Sequence, residues 1–374
     1  MLEKMYGKKK PENERRQRVR MRKQLPLLLL IAGAVCVSVS CGIFGKKQLP
    51  ARDFYAMGTV CAINLYEDGT EEIFALISAR LAEIEQLFSV SIAESDIAKI
   101  NLNAGIAPAR VHDEVIYLIK MACYFARKTG GAFDPAVGAL SVLWAIGTDG
   151  ARVPAQEEIA RALTLTDYEK IQIDEEAKTV FLPQTGMIID LGGIAKGYAA
   201  DEVIKIAREH NVARALINLG GNVYVYGEKP RGKKSGESEK WRVGIKDPEN
   251  SGGRPAAHLD TGENSVVTSG TYERYFDKDG IRYHHILDTK TGYPAESDAL
   301  SVTIVSASSL AADALSTSVF ILGKEKGLAL LEAGFPEIGV TAEGLVITRD
   351  HQVAATPGLR GSLTVLPGNY LLIP

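Results

Sequence analysis

Apolar residues recur at helical spacing over residues 71–88, where Ile73, Phe74, Ile77, Leu81, Ile84 and Leu87 form one stripe. A second amphipathic helix is predicted to run to Lys128, with Asp113 as its N-cap and Gly130 as its stop. Further helices are predicted over 194–210, 309–322 and 324–333. Elsewhere the pattern shortens to a period of two, which marks strands. Residues 58–66 alternate in this way, and 214–219, 222–227, 241–245, 265–269, 282–287 and 300–305 follow in quick succession before short terminal strands. Clustered strands with helices grouped between them predict an α+β fold rather than a regular βαβ alternation. The polar stretch 227–240 is expected to be a surface loop between two strands.

The N-terminus has a different composition. Residues 1–24 are rich in Lys and Arg, and residues 25–40, LPLLLLIAGAVCVSVS, carry no charge. That run matches a signal-peptide core and is short for a membrane span. Small residues precede Cys41 and Gly42 follows it, which resembles a bacterial lipoprotein signal with Cys41 as the lipidated first mature residue, although Ser38 stands where Leu is usual. The alternative is an uncleaved anchor helix. Both place the body outside the cytoplasm and tethered to a membrane, and the basic flank keeps the N-terminus inside. The expected division is a signal peptide at 1–40, a membrane-proximal linker at 41–53, a main domain at 54–345 and a C-terminal extension at 346–374.

The formal charge is −3 and much of the basic charge lies in the leader, so the mature part is acidic. That argues against a nucleic-acid partner. Cys61 and Cys123 are the two cysteines of the body, and neither their spacing nor that of the histidines suggests zinc.

The candidate chemistry begins at Asp190 to Glu202, DLGGIAKGYAADE, which follows the strand-like run Met187-Ile188-Ile189 and opens a helix. Paired glycines let backbone approach a bulky ligand, and a helix start offers unpaired amides and partial positive charge. Lys196 lies in that first turn, where the dipole disfavours a cation, so a phosphate would explain it. A plain strand–turn–helix junction is the competing reading. Asp134, before Pro135, is a loop carboxylate or a turn former. Asp313 and Thr317 stand four apart on one helix face, a partial ligand set for Mg²⁺; a self-capping Thr beside a solvated Asp is the bland alternative. Of His284 and His285, only one can face a given site along a strand, either as a proton acceptor or as a structural His bonded to a loop carbonyl. Asn218 to Asn222 carries a second Gly-Gly turn, and Thr268-Ser269-Gly270 offers hydroxyls and amides.

Taken in order, Met57-Gly58-Thr59, Ser95-Asp96-Ile97 through Asn101, GAFDPAVGAL (131–140) with Leu143-Trp144, DLGGIAKGYAADE, INLGGNVYVYG (217–227), WRVGIKDP (241–248), TSGTYERYF (268–276), HILDTKTGYPA (285–295) and AADALSTSVFILG (311–323) closely resemble the ApbE family, the FAD:protein FMN transferases. The resemblance covers residues 54–323. It implies mostly antiparallel sheets with packed helices in a T-fold-like arrangement. The implied activity is Mg²⁺-dependent transfer of the FMN half of FAD to a Thr or Ser hydroxyl of another protein, with release of AMP. The implied acceptors are flavoprotein subunits of membrane redox complexes or other exported flavoproteins. By similarity, Asp134 and Asp190 contact FAD, and Met57, Lys196 and Ile286 line its site. The Gly193 carbonyl, Asp313 and Thr317 hold Mg²⁺, and His285 is the base. Where relatives commonly carry an aromatic after the first helix, this chain has Ser89-Val90-Ser91 at the flavin nucleotide, a loss worth about 1–3 kcal/mol of stacking. Position 196 varies between acidic and basic residues in the family. FAD hydrolysis to FMN and AMP, or flavin binding without turnover, are the alternatives.

Overall fold

The computed structural model describes residues 52–66, 69–229, 240–250 and 253–373. The leader, Cys41 and most of the polar loop lie outside the described residues. Strands β1 (Arg52–Ala56) and β2 (Thr59–Tyr66) form a hairpin in register Ala56↔Thr59. Its two-residue turn places Met57 at φ 54° and Gly58 at φ 70°. This left-handed pair matches the twist of the flanking strands and suits Gly better than Met.

Helix α1 (Glu71–Phe88) opens with Thr70 accepting from the Ile73 amide and with Glu71 and Glu72 in its first turn. Its buried face ends on Phe88, while Leu87 is half-buried. Helix α2 (Asp96–Leu102) and β3 (Ala109–Arg110) precede α3 (Asp113–Lys128). Asp113 is the first helical residue of α3 and not its cap. The N-cap is His112, which makes no side-chain cap bond, and its own amide donates to Asp96 Oδ2 at 2.8 Å.

The chain continues through α4 (Gly138–Trp144), α5 (Gln156–Leu163), β4 (Gln172–Asp174), β5 (Thr179–Phe181) and α6 (Ala195–Glu209). Strands follow: β6 (Arg214–Leu219), β7 (Asn222–Tyr226), β8 (Trp241–Lys246), β9 (Pro255–Thr261), β10 (Asn264–Gly270), β11 (Tyr275–Lys278), β12 (Ile281–His284) and β13 (Ala299–Ser306). Helix α7 (Ser309–Ala333) and strands β14 (Ala342–Thr348), β15 (Gln352–Ala355), β16 (Leu363–Val365) and β17 (Leu371–Leu372) complete the fold. Gly323 is non-helical inside α7, at φ 78° and ψ 175°, so the two predicted helices meet at a kink where Gly alone is comfortable.

The main sheet runs β1-β2-β6-β7-β10-β13-β14-β15-β17, and every pair in it is antiparallel except β15–β17. This is the α+β architecture the sequence predicts. Helix α7 packs on β10, β13 and β14, with α6 against its other side. Residues 310–316 of α7 are all buried, and small side chains (Ala311, Ala312, Ala314, Ser316) allow that close packing. The sheet β16-β9-β8 covers the opposite face through Ile245, Leu259, Val266, Leu345 and Val353. The 345/346 boundary falls inside β14, and the residues after it pair into the same sheet. Among the described residues no helix is long and apolar enough to cross a membrane. Cys61 and Cys123 are both buried and free.

Candidate functional site

Met187-Ile188-Ile189 is not a strand. Its backbone is satisfied by a side chain and two turns instead of a ladder. Asn101 accepts from the Ile189 amide at 2.8 Å and donates to its carbonyl at 3.0 Å, Gly138 N donates to Ile188 O, and Asp190 N donates to Pro135 O. This anchoring holds the segment before the Gly192–Gly193 turn against the start of α4. Most donors expected free at the following helix start are already taken. Gly192 N donates to Asp190 Oδ1 at 2.9 Å, Ile194 N and Ala195 N to Leu191 O, and Gly197 N to Asp313 Oδ2 at 2.9 Å. The positive character of this loop therefore rests largely on Lys196. Its ammonium lies 3.2 Å from Gly192 O and 3.4 Å from Asp313 Oδ1, so a tertiary ion pair accounts for a cation in the first turn of α6.

These residues border an open cleft of about 1030 Å³. Every described residue that the family resemblance assigns to the site reaches it, whereas His284 does not. Met57 comes from the β1–β2 turn, Ser89, Val90 and Ser91 from the end of α1, and Asp134 from the loop after α3. Asp190, Gly193 and Lys196 come from the glycine loop, His285 and Ile286 from the segment after β12, and Asp313 and Thr317 from α7. Segments far apart in sequence thus meet at one opening. Cys41 lies outside the described residues.

On α7, Asp313 is 3 % exposed, and Thr317 is the half-buried position in an otherwise buried run, so one turn of the helix opens to the cleft. A Cβ on Gly193 would stand 3.7 Å from Thr317 Oγ1, which brings the Gly193 backbone beside that hydroxyl. Carboxylate, hydroxyl and nearby carbonyl are hard oxygens that fit Mg²⁺, which keeps water and phosphate in its remaining positions. Among the described residues there is no group of three or more His, Cys, Asp and Glu side chains placed to hold a metal.

The two loop carboxylates differ. Asp134 is buried, and both its oxygens accept from backbone: Oδ1 from Ala136 N at 2.7 Å, Oδ2 from Tyr168 N at 3.2 Å. Burial pushes its carboxyl up to about 6, against the pull of those two amides. Asp190 uses Oδ1 for the Gly192 amide, and it stands half-buried on the cleft wall.

The predicted strand 282–287 divides at the histidines. Strand β12 ends at His284; His285 N still donates to Arg274 O, but Ile286 O accepts from Ala295 N, so the chain changes partner there. His284 is buried with its ring edge-on to Phe320 at 5.4 Å, and its Nδ1 has no hydrogen-bond partner. His285 lines the cleft with Nδ1 3.3 Å from Arg274 O. That carbonyl can only accept, so Nδ1 carries the proton and Nε2 is left as the acceptor. Burial among protein walls, reinforced by Arg274, depresses the His285 pKa to about 3, although the cleft mouth leaves part of the ring accessible.

The cleft also contains Glu273, which lies inside the TSGTYERYF motif and which no local pattern marks as a site residue. Solvent reaches it through the mouth, yet burial of its carboxylate by the surrounding walls raises its pKa, opposed by Lys196 and Arg274. Asn101, which clamps residue 189, is likewise unmarked by any local pattern. Side-chain amides bonded to distant backbone leave no periodic signal.

A sequence model of the ApbE family matches residues 57–341. The FAD:protein FMN transferase of Treponema pallidum (strain Nichols) is 38% identical over 353 residues, covering 90% of this chain and 95% of its own length. The FAD:protein FMN transferase of Klebsiella pneumoniae (strain 342) is 41% identical over 317 residues, covering 85% and 95%. Among solved structures, the ApbE protein of Thermotoga maritima superposes with a TM-score of 0.73 at 36% identity, covering 84% of this chain and 98% of its own. The flavin transferase ApbE from Vibrio cholerae gives 0.71 at 26% identity, covering 84% and 100%. With the family match spanning most of the chain and landing on the cleft just described, this protein belongs to the ApbE family.

Proposed function

We propose that this protein is an FAD:protein FMN transferase that uses Mg²⁺, releases AMP and works at the cell envelope. The observation that carries the reading is the convergence of Asp313 and Thr317, the Gly192–Gly193 loop and His285 on one cleft large enough for a dinucleotide. Phosphoryl transfer asks a protein mainly for positioning and charge neutralisation. Lys196 offers a cation beside the pyrophosphate, while Asp190 and the two glycines shape the wall against which the nucleotide lies. Mg²⁺ held by Asp313, Thr317 and the Gly193 carbonyl would supply charge neutralisation at the pyrophosphate. The acceptor hydroxyl forms the new P–O bond at the FMN phosphorus, its proton passes to His285 Nε2, and the P–O bond to AMP breaks. Acceptors are flavoprotein subunits of membrane redox complexes or other exported flavoproteins. The leader supports a lipid anchor at Cys41, facing the periplasm or cell exterior.

FAD hydrolysis is a second reading favoured by one observation: Val90, in the aromatic-free Ser89-Val90-Ser91 segment, is 48% exposed at the cleft and leaves room for water. Incubation with FAD, Mg²⁺ and an acceptor protein separates the outcomes. AMP with flavin-labelled acceptor establishes transfer, AMP with free FMN establishes hydrolysis, and absence of AMP rejects both. Mass spectrometry of the native protein beginning anywhere but a lipidated Cys41 would remove the anchor.

A further inference from the structure

Asp201 lies at the end of the glycine-loop motif and faces away from the cleft, yet its carboxylate is the most heavily engaged in this part of the molecule. Oδ1 accepts from Ser309 N at 2.8 Å, and Oδ2 from Leu310 N at 3.0 Å and from Ser308 Oγ at 3.2 Å. Ser308 Oγ in turn accepts from Ala311 N at 3.2 Å. The first three amides of α7 are thus capped by one carboxylate from α6 and the hydroxyl it orients. A negative charge here also complements the helix dipole.

One turn earlier on α6, Gly197 meets the same helix. Its amide donates to Asp313 Oδ2 at 2.9 Å, and a Cβ on it would run into the Ser309 carbonyl, 2.7 Å from the carbonyl carbon and 2.8 Å from Asp313 Cβ. Residues 197 and 201 therefore hold α7 at two points, one on its first amides and one on the Asp313 carboxylate itself. Two hydroxyl pairs from β10 pin the other side of α7: Ser265 with Ser309 and Ser269 with Ser316, each at 2.8 Å. The hydroxyl pairs tie α7 to the sheet, and the cap ties its first turn to α6.

We infer that Asp201 is a positioning residue for the metal site: by capping α7 from α6 it sets the height of Asp313 and Thr317 relative to the glycine loop. This rests on the proposed assignment of Asp313 to a divalent cation. Residues that orient a metal ligand typically change metal affinity about 10–100-fold when altered. A cap that merely stabilised α7 would lower stability without moving that affinity.

The test is a titration of Mn²⁺, followed by its EPR signal, into full-length protein saturated with ADP, which supplies a diphosphate but no flavin to transfer. Asp201→Asn should weaken Mn²⁺ binding at least about tenfold with ADP affinity held within about twofold. Asp298→Ala is the control, because Asp298 Oδ1 caps Lys324 N at 2.9 Å beyond the kink in the same helix and neither residue lines the cleft. It should lower the melting temperature and leave Mn²⁺ affinity unchanged. Mn²⁺ binding by Asp201→Asn equal to wild type, or an equal loss in Asp298→Ala, would overturn the inference. Asp313→Ala distinguishes the two levels: if it binds Mn²⁺ like wild type, the metal assignment falls and the inference with it. Should Asp201→Asn fail to fold, Ser308→Ala removes only the hydroxyl arm and is expected to weaken Mn²⁺ severalfold; an unchanged affinity there overturns the inference equally.

Discussion

Lys196 Nζ stands 3.4 Å from Asp313 Oδ1, although 117 residues separate them in the chain. The ammonium occupies the neighbourhood of the carboxylate proposed to hold a divalent cation, so two positive charges compete for one acid. Lys196→Met should therefore strengthen metal binding to the nucleotide-free protein by up to about fivefold, since a partly exposed ion pair is worth about 0–1 kcal/mol. It should weaken binding of FAD, whose phosphates lose a cation. Paired Mn²⁺ and FAD titrations check both directions; two affinities moving the same way would contradict the assigned place of Lys196.

Asp313→Ala should abolish Mg²⁺-dependent AMP release while FAD still binds, because the proposed role of the carboxylate is to hold the metal and not the flavin. It also strands the Gly197 amide in the interior, at a cost of about 1–3 kcal/mol. Denaturant unfolding should register that cost, and normal AMP release would refute the role.

Asp134 and Asp190 should separate when each is changed to Ala. Asp134 spends both oxygens on backbone amides, so its loss should lower stability by about 1–3 kcal/mol for each stranded donor. Asp190 engages one oxygen internally, so its loss should fall mainly on FAD affinity, roughly ten- to a hundredfold for a charge-assisted hydrogen bond of about 1.5–3 kcal/mol. Asp134 also gives a pH signature. Its folded-state value of about 6 lies above the ordinary 3.8, so the native state holds that proton more tightly than the unfolded chain. Wild-type stability relative to Asp134→Asn should fall as pH rises from about 4 through about 6 and level off above. A difference that rises over this window would show the carboxylate to be stabilised as an anion.

The long helices were legible because their periodicity and punctuation agree. Thr70 caps α1, and Gly323 breaks α7 where the sequence separates two helices. The strand pattern was legible for β6, β7, β10 and β13, but 255–261 was missed because Pro255, two adjacent alanines, His258 and Asp260 blur the alternation of β9. The cleft residues were legible through ordered motifs. What no local pattern carries is partnership across the chain. Asn101 holding the backbone at 189, Asp201 capping a helix that begins about a hundred residues later, and Lys196 meeting Asp313 exist only once the fold has closed. The apparent strand 187–189 failed for the same reason, since its donors and acceptors found turns and an amide side chain before they found a ladder.

His284 and His285 supply the sharpest comparison, because the same substitution at adjacent positions meets two environments. His285→Ala should slow transfer about 10²–10⁴-fold, the usual range for loss of a general base, while FAD affinity changes little. His284 touches Phe320 in the interior and does not line the cleft, so His284→Ala should cost about 0.5–3 kcal/mol of stability and leave the rate per folded molecule near wild type. The pH profile adds a second reading. Because burial and Arg274 depress its pKa, His285 is neutral across the physiological range, so kcat/KM should show no inflection near 6.5 from this residue. His284 is also depressed, to about 4, chiefly by burial, so the native state resists its protonation and its contribution to stability is lost as pH falls from 6.5 toward 4. Gel fluorescence of labelled acceptor at saturating FAD and Mg²⁺ measures the rates, and denaturant midpoints measure stability. A slower His284 variant of equal stability would reverse the facing of the two rings. A rate unaffected by either change would move the base to a carboxylate at the cleft, where Glu273 stands with a raised pKa.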